Sequence, residues 1–232
     1  MSGPSQTASV GPRSIVNITV HGVGTPEREL DPGEAQTWVS IAQFEQVLDA
    51  VAEAPDARIS FDDGNASDVE IALPRLKERG LIAEFFVLAG QLGDRGRVDR
   101  AGVRALLEAG MVVGSHGWSH RNWRRVDDAA AREEFSEAPR VLGELAGHPI
   151  SRVAVPFGSY DRHVLRRLRS AAVTRVYTSD GGRTGPDAWL QPRNSLHDGI
   201  DADWIARVLD PHTSLKRRAR DNAVRAAKRL RG

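Results

Sequence analysis

Arg58-Ile59-Ser60-Phe61-Asp62-Asp63-Gly64 is the stretch on which the architecture turns: a short apolar run that ends in two adjacent carboxylates and a glycine. Its β-branched and aromatic residues suit a strand, and Asp-Gly marks the turn that ends it. Downstream, Ser67-x-x-Glu70 has the form of a capping box opening a helix, which Pro74 should kink and Gly80 end. The same rhythm of strand, polar turn and helix then recurs. Strands are expected over 82–88, 111–114, 152–155 and 174–178, and helices over 100–109, 127–145, 161–171 and 201–209, the second of these disturbed at Pro139. Upstream, 15–20 reads as a strand ending at His21 in His21-Gly22-Val23-Gly24. Ile41, Phe44, Val47, Leu48 and Val51 recur at helical spacing and should face a core until Pro55 stops them. Such alternation predicts an α/β fold whose parallel sheet closes, or nearly closes, into a barrel with helices outside. The strands' C-terminal ends then share one face, which receives His21, Asp62, Asp63, His116, His120, Phe157 and Asp180.

Composition agrees with one globular domain. Of 232 residues 40% are hydrophobic and 27% charged, which argues against a disordered or a membrane-spanning chain. Residues 1–13 are rich in Gly, Pro, Ser and Thr without an apolar core segment. They read as a flexible lead rather than a signal peptide, so a cytoplasmic protein is expected. The body is assigned to 14–212 and a tail to 213–232. That tail holds eight Lys or Arg against Asp221 alone, while the rest of the chain is mildly acidic. Two roles stay open for it: a solvated terminal helix, or a helix lying peripherally on anionic membrane lipid. Nucleic acid is not an expected partner, since the body is acidic and carries no recognised module.

With no cysteine, His, Asp and Glu are the strong protein ligands left for a metal. Adjacent carboxylates on a tight turn point in different directions, so one of Asp62 and Asp63 can ligate a cation while the other accepts a proton. An isolated Asp-Asp-Gly would more often be a solvated turn; the strand before it changes the balance. His116 and His120 are spaced i, i+4 in Ser115-His116-Gly117-Trp118-Ser119-His120, directly after a buried strand, and can share a cation. Two His and one carboxylate also suit ferrous oxygenases. The second carboxylate favours hydrolysis, which needs a base beside the activated water.

Ser60-Phe61-Asp62-Asp63-Gly64 and Ser115-His116-Gly117-Trp118-Ser119-His120, in this order and about fifty residues apart, resemble the first two motifs of the polysaccharide deacetylases, the NodB-homology family also called carbohydrate esterase family 4. The resemblance covers about 15–209 and implies a distorted (β/α)7 barrel. It further implies that Asp63, His116 and His120 hold a divalent metal, zinc before cobalt, nickel or manganese, with Asp62 as general base. The backbone N–H of Phe157, in Pro156-Phe157-Gly158, would steady the oxyanion, and Trp118, Pro156 and Asp180 are expected to contact substrate. Two positions depart from the family. Ala154 stands where an Arg usually orients the base, and Arg193 is expected to replace it from a later segment. A late Leu-x-His supplying the acid is missing, Ser195-Leu196-His197 having the wrong spacing. His21 resembles the first-strand His of the circularly permuted, poly-N-acetylglucosamine deacetylase branch, and is expected to be the acid. The function so implied is metal-dependent removal of N-acetyl from an amino sugar in a glycan or glycolipid. A metal-dependent amidase acting on a small non-sugar amide and an inactive glycan-binding barrel are the alternatives.

Overall fold

In the computed structural model, which describes residues 14–212, 223 and 225–230, the recurring strand and helix become a closed barrel. In chain order the elements are β1 (Ile15–Val20), β2 (Gly22–Val23), β3 (Trp38–Val39), α1 (Ile41–Glu53), β4 (Ala57–Asp63), α2 (Leu73–Glu78), β5 (Ala83–Val87), α3 (Arg100–Glu108), β6 (Val112–Ser115), α4 (Asp128–Arg132), α5 (Ala138–Ala146), β7 (Arg152–Ala154), α6 (Arg162–Ser170), β8 (Arg175–Thr178), β9 (Arg183–Thr184), β10 (Leu190–Ser195) and α7 (Ala202–Leu209). Strands β1, β4, β5, β6, β7, β8 and β10 run parallel in that order, and β10 pairs back onto β1 to close the ring. The short β9 lies antiparallel against the start of β1. No described helix is long and apolar enough to cross a membrane.

Alternation along each strand separates two environments. Outward-facing Ile18, Val20, Ile59, Phe61 and Phe85 are buried under the helices with Phe44, Val47 and Leu48 of α1. Phe61 stacks on Phe85 at 4.5 Å between ring centres and meets Phe44 edge-on at 6.0 Å. The inward set is polar and mutually bonded: Asn17 donates to Gln191 Oε1 at 3.0 Å, and the Thr19 and Ser60 hydroxyls are 2.9 Å apart. Most buried polar groups in folded proteins are so paired.

Three local expectations are corrected. Ser67 caps no helix: its Oγ accepts from Val23 N–H at 3.3 Å, and the chain enters Asp68–Ala72 as a π-helical turn before α2. The capping box lies instead at Ser40 and Gln43, opening α1, where Ile41 is 40% exposed rather than on the buried stripe. The single long helix of 127–145 is three pieces, α4, a π-helical turn at Glu133–Glu137, and α5 with Pro139 in its first turn. The strand over Leu190–Ser195 was not expected. The lead, 1–13, and most of the tail, 213–222, lie outside the described residues.

Candidate metal centre and active site

Asp62 and Asp63 end β4, and the register sets Asp63 level with Val87 of β5 and through it with Ser115 of β6. His116 N–H donates to Val87 O at 2.9 Å, so the chain leaves β6 with the histidine still anchored at the barrel mouth. The sequence-expected ligands converge there. Asp63 Oδ1 is 3.4 Å from His116 Nε2 and 3.6 Å from His120 Nε2, and the three ligand atoms lie within 4.8 Å of one another. His116 Nδ1 meets Ala154 O at 3.0 Å, which fixes the tautomer and leaves Nε2 with its lone pair toward the centre. Asp63 Oδ1 is buried, has no hydrogen-bond donor and faces two imidazole nitrogens, an arrangement that a cation would complete. The donor set therefore fits a divalent metal.

Backbone strain is concentrated at the same place. Four non-glycine residues among those described have left-handed φ, and three are Asp63 (74°), His120 (54°) and Phe157 (58°). Each costs about 1–2 kcal/mol in a residue bearing a Cβ, a cost retained where side chains must be aimed off the regular strand or helix direction.

Electrostatics distinguish the two carboxylates. Burial would raise Asp62, but the Arg193 guanidinium, then His116, more than offset it and hold the group well below the carboxylate range. Arg193 Nη1 and Nη2 each donate to one oxygen of Asp62 at 2.6 Å, a bidentate fork, and Nη1 also reaches Ser60 Oγ at 3.2 Å. The guanidinium lies 5.3 Å from the Phe86 ring centre and 5.7 Å from Tyr177, with the buried Ala154 methyl in the same cluster. Asp63 is opposed by burial and lowered chiefly by His116 and His120. Burial and the neighbouring His116 push His120 down to about 4, so the free imidazole stays neutral at neutral pH.

His21, Asp62, Asp63, His116, His120, Phe157 and Arg193 line one cavity of about 350 Å³, which Asp31, Glu34 and Thr37 also line. His21 Nδ1 is buried there with no partner. The Phe157 ring lies over His120 at 4.2 Å. The three residues expected to contact substrate are placed otherwise. Trp118 packs on Gly90, where an added Cβ would come within 2.5 Å of its indole nitrogen. Pro156 is buried in its turn. Asp180 accepts from Tyr160 OH at 2.7 Å and Thr178 Oγ1 at 2.9 Å and pairs with Lys228. None of the three is among the cavity's lining residues.

Two buried polar residues that the sequence reading missed hold the site in place. Glu134, 1% exposed, accepts from Trp118 N–H at 2.8 Å, Ser119 N–H at 3.2 Å and Trp123 Nε1 at 3.0 Å, tying down the loop between the two histidines. Asn65 donates to His21 O at 2.6 Å and accepts from Arg28 and Arg97. Asn65 stands two residues beyond Asp63 and was within reach of a local reading; Glu134 carries no sequence signal.

With that geometry in hand, known proteins place the chain. The family model described as Polysaccharide deacetylase matches residues 50–176, a span that holds Asp62, Asp63, His116, His120 and Phe157 but neither His21 nor Arg193. A peptidoglycan-N-acetylglucosamine deacetylase of Bacillus cereus is 28% identical over 138 residues, 57% of this chain and 48% of that one. The enzyme of the same description, PgdA, from Listeria monocytogenes is 26% identical over 126 residues, 51% of this chain and 26% of that one. The chain thus spans half or less of the length of these curated relatives. Among solved structures, the Streptococcus pyogenes deacetylase PplD in complex with acetate superposes with a TM-score of 0.74 at 16% identity, covering 86% of this chain and 100% of that one. IcaB from Ammonifex degensii gives a TM-score of 0.67 at 20% identity, with 85% and 96% covered. The structural matches speak for the barrel, the sequence match for descent, and the chain belongs to the polysaccharide deacetylase family.

Proposed function

We propose that this protein is a metal-dependent hydrolase that removes the N-acetyl group from an amino sugar of a glycan, giving acetate and a free amine. The observation that carries the proposal is the division of labour between neighbours: Asp63 Oδ1 turned to two imidazoles, Asp62 turned to Arg193. Asp63, His116 and His120 would hold the cation, and two His with one carboxylate leaves positions open for water and substrate, as zinc hydrolases require. Bound there, a divalent cation would acidify water and polarise the amide carbonyl. Asp62 is the base. Its Oδ2 lies 3.8 Å from His116 Nε2, beside the ligand set, where it would take the proton of the attacking water, and Arg193 keeps the group ionised until then. The Phe157 N–H donates to the developing oxyanion from a turn aimed at the cavity. His21, which lines the same cavity, would protonate the departing nitrogen. The inactive-barrel reading rested on Ala154, and a guanidinium on Asp62 from another strand takes away that support.

Elemental analysis of purified protein followed by acetate release from N-acetylglucosamine oligosaccharides tests this. About one divalent ion per chain and chelator-sensitive acetate release are expected. Asp62→Asn and His21→Gln should keep the ion and lose turnover. A chelated protein that works as before, or wild-type rates in both variants, would overturn the mechanism.

A further inference from the structure

Part of the basic tail reaches back to the barrel. Residues 225–230 are helical and bond back to the barrel beside the cavity. Lys228 Nζ donates to Gly158 O at 3.1 Å and to Asp180 Oδ1 at 2.5 Å, and lies 5.4 Å from the Tyr160 ring centre. Arg225 Nη2 donates to Gly181 O at 2.8 Å, and Gly181 N–H in turn donates to Arg193 O at 2.9 Å. One segment thus touches the turn that carries Phe157 and the Gly181 turn that bonds the backbone of Arg193 in β10.

The first of these turns is closed by Gly158 N–H to Val155 O at 3.0 Å and Ser159 N–H to Pro156 O at 3.1 Å, and it is strained at its centre. Phe157 and Gly158 are both left-handed, at φ 58° and 56°, and the Phe157 ring is 63% exposed. A strained turn has neighbouring conformations within a few kcal/mol, and an oxyanion donor works only when its direction is set beforehand. Asp180 has a side chain 1% exposed and is fixed by Tyr160 and Thr178, so it offers Lys228 a rigid anchor. We propose that Lys228 is a positioning residue of the deacetylation: anchored on Asp180, it holds the Gly158 carbonyl and thereby aims the Phe157 N–H at the reacting carbonyl. This rests on the reaction proposed above. It also accounts for Asp180, whose carboxylate acts through Lys228 instead of meeting substrate.

The test uses the full chain with its metal, as wild type, Lys228→Met and Lys228→Arg. Hydrogen exchange of the peptide spanning 155–160 should quicken at least severalfold in K228M. Acetate release should show kcat down about tenfold, less than outright loss of an oxyanion donor, with KM and metal affinity within about twofold of wild type. K228R should recover most of the rate. Unchanged exchange over 155–160, or a wild-type kcat in K228M, overturns the proposal. So does a fall in melting temperature with kcat intact below it, which would mark a merely structural contact. If the wild type releases no acetate, the reaction is wrong, and the exchange measurement still decides whether Lys228 holds the turn.

Discussion

Asp62 and Asp63 share a peptide bond, yet each does what its neighbour cannot. A carboxylate whose two oxygens are both taken by Arg193 is held ionised and in one orientation, while one with a buried, donorless oxygen is ready for a cation. Adjacent side chains of a regular strand face opposite ways; Asp63, at a left-handed φ of 74°, leaves that pattern, and both carboxylates approach His116. Arg193→Ala should therefore strand a charge inside the barrel and cost about 3–5 kcal/mol. Arg193→Lys keeps the charge without the fork, and should fold, bind metal and lose most of its turnover. Thermal melts and acetate release on the pair would show it, and full activity in Arg193→Lys would count against the clamp. At this scale the sequence was informative about ligands, because two short motifs carry them. Arg193 was legible only through a gap, the small residue at 154, and the structure fills that gap by closing a strand 39 positions later in the chain.

Among the elements, the loop between His116 and His120 shows how a ligand pair is kept in register. Gly117 has φ +87°, and a Cβ there would sit 2.0 Å from Glu134 Oε2, the carboxylate that gathers the loop's N–H groups. Gly117→Ala should displace one or the other. Metal affinity is then expected to fall about 10–100-fold, the size seen when groups behind metal ligands are disturbed. Competition against a chromogenic chelator measures this, and undiminished affinity would mean that the loop is held otherwise. Glu134 sits in a π-helical turn, a local widening that amphipathic periodicity cannot announce, which is why 127–145 read as one helix. Strands β4, β5 and β6 were plain in the sequence because their outward faces are apolar. Strand β10 was not, because Gln191 and Arg193 face the polar barrel interior and Pro192 breaks the pattern. The core predicts itself from sequence; a strand chosen for chemistry does not.

For the molecule as a whole, an acidic limit on the metal-free form follows from the buried site. His120 in the folded protein takes a proton only near pH 4, whereas in the unfolded chain it does so near 6.5. Between those values the unfolded chain binds more protons, so stability is complete above about pH 6.5 and is lost as pH falls toward 4. Asp62, held low by Arg193, adds to the loss only at still lower pH. Urea unfolding of chelated protein at pH 7.5 and pH 4.5 should place the midpoint lower in acid, and equal midpoints would show that His120 is not so constrained.

The closing pair of β1 and β10 joins Asn17 to Arg193 across most of the chain. Asp62 lies near the start of the ring and its guanidinium partner on the final strand, so the two meet only where the ring closes. The fork on Asp62 is therefore a reporter of closure: whatever loosens the seam between first and last strands reaches the buried carboxylate directly.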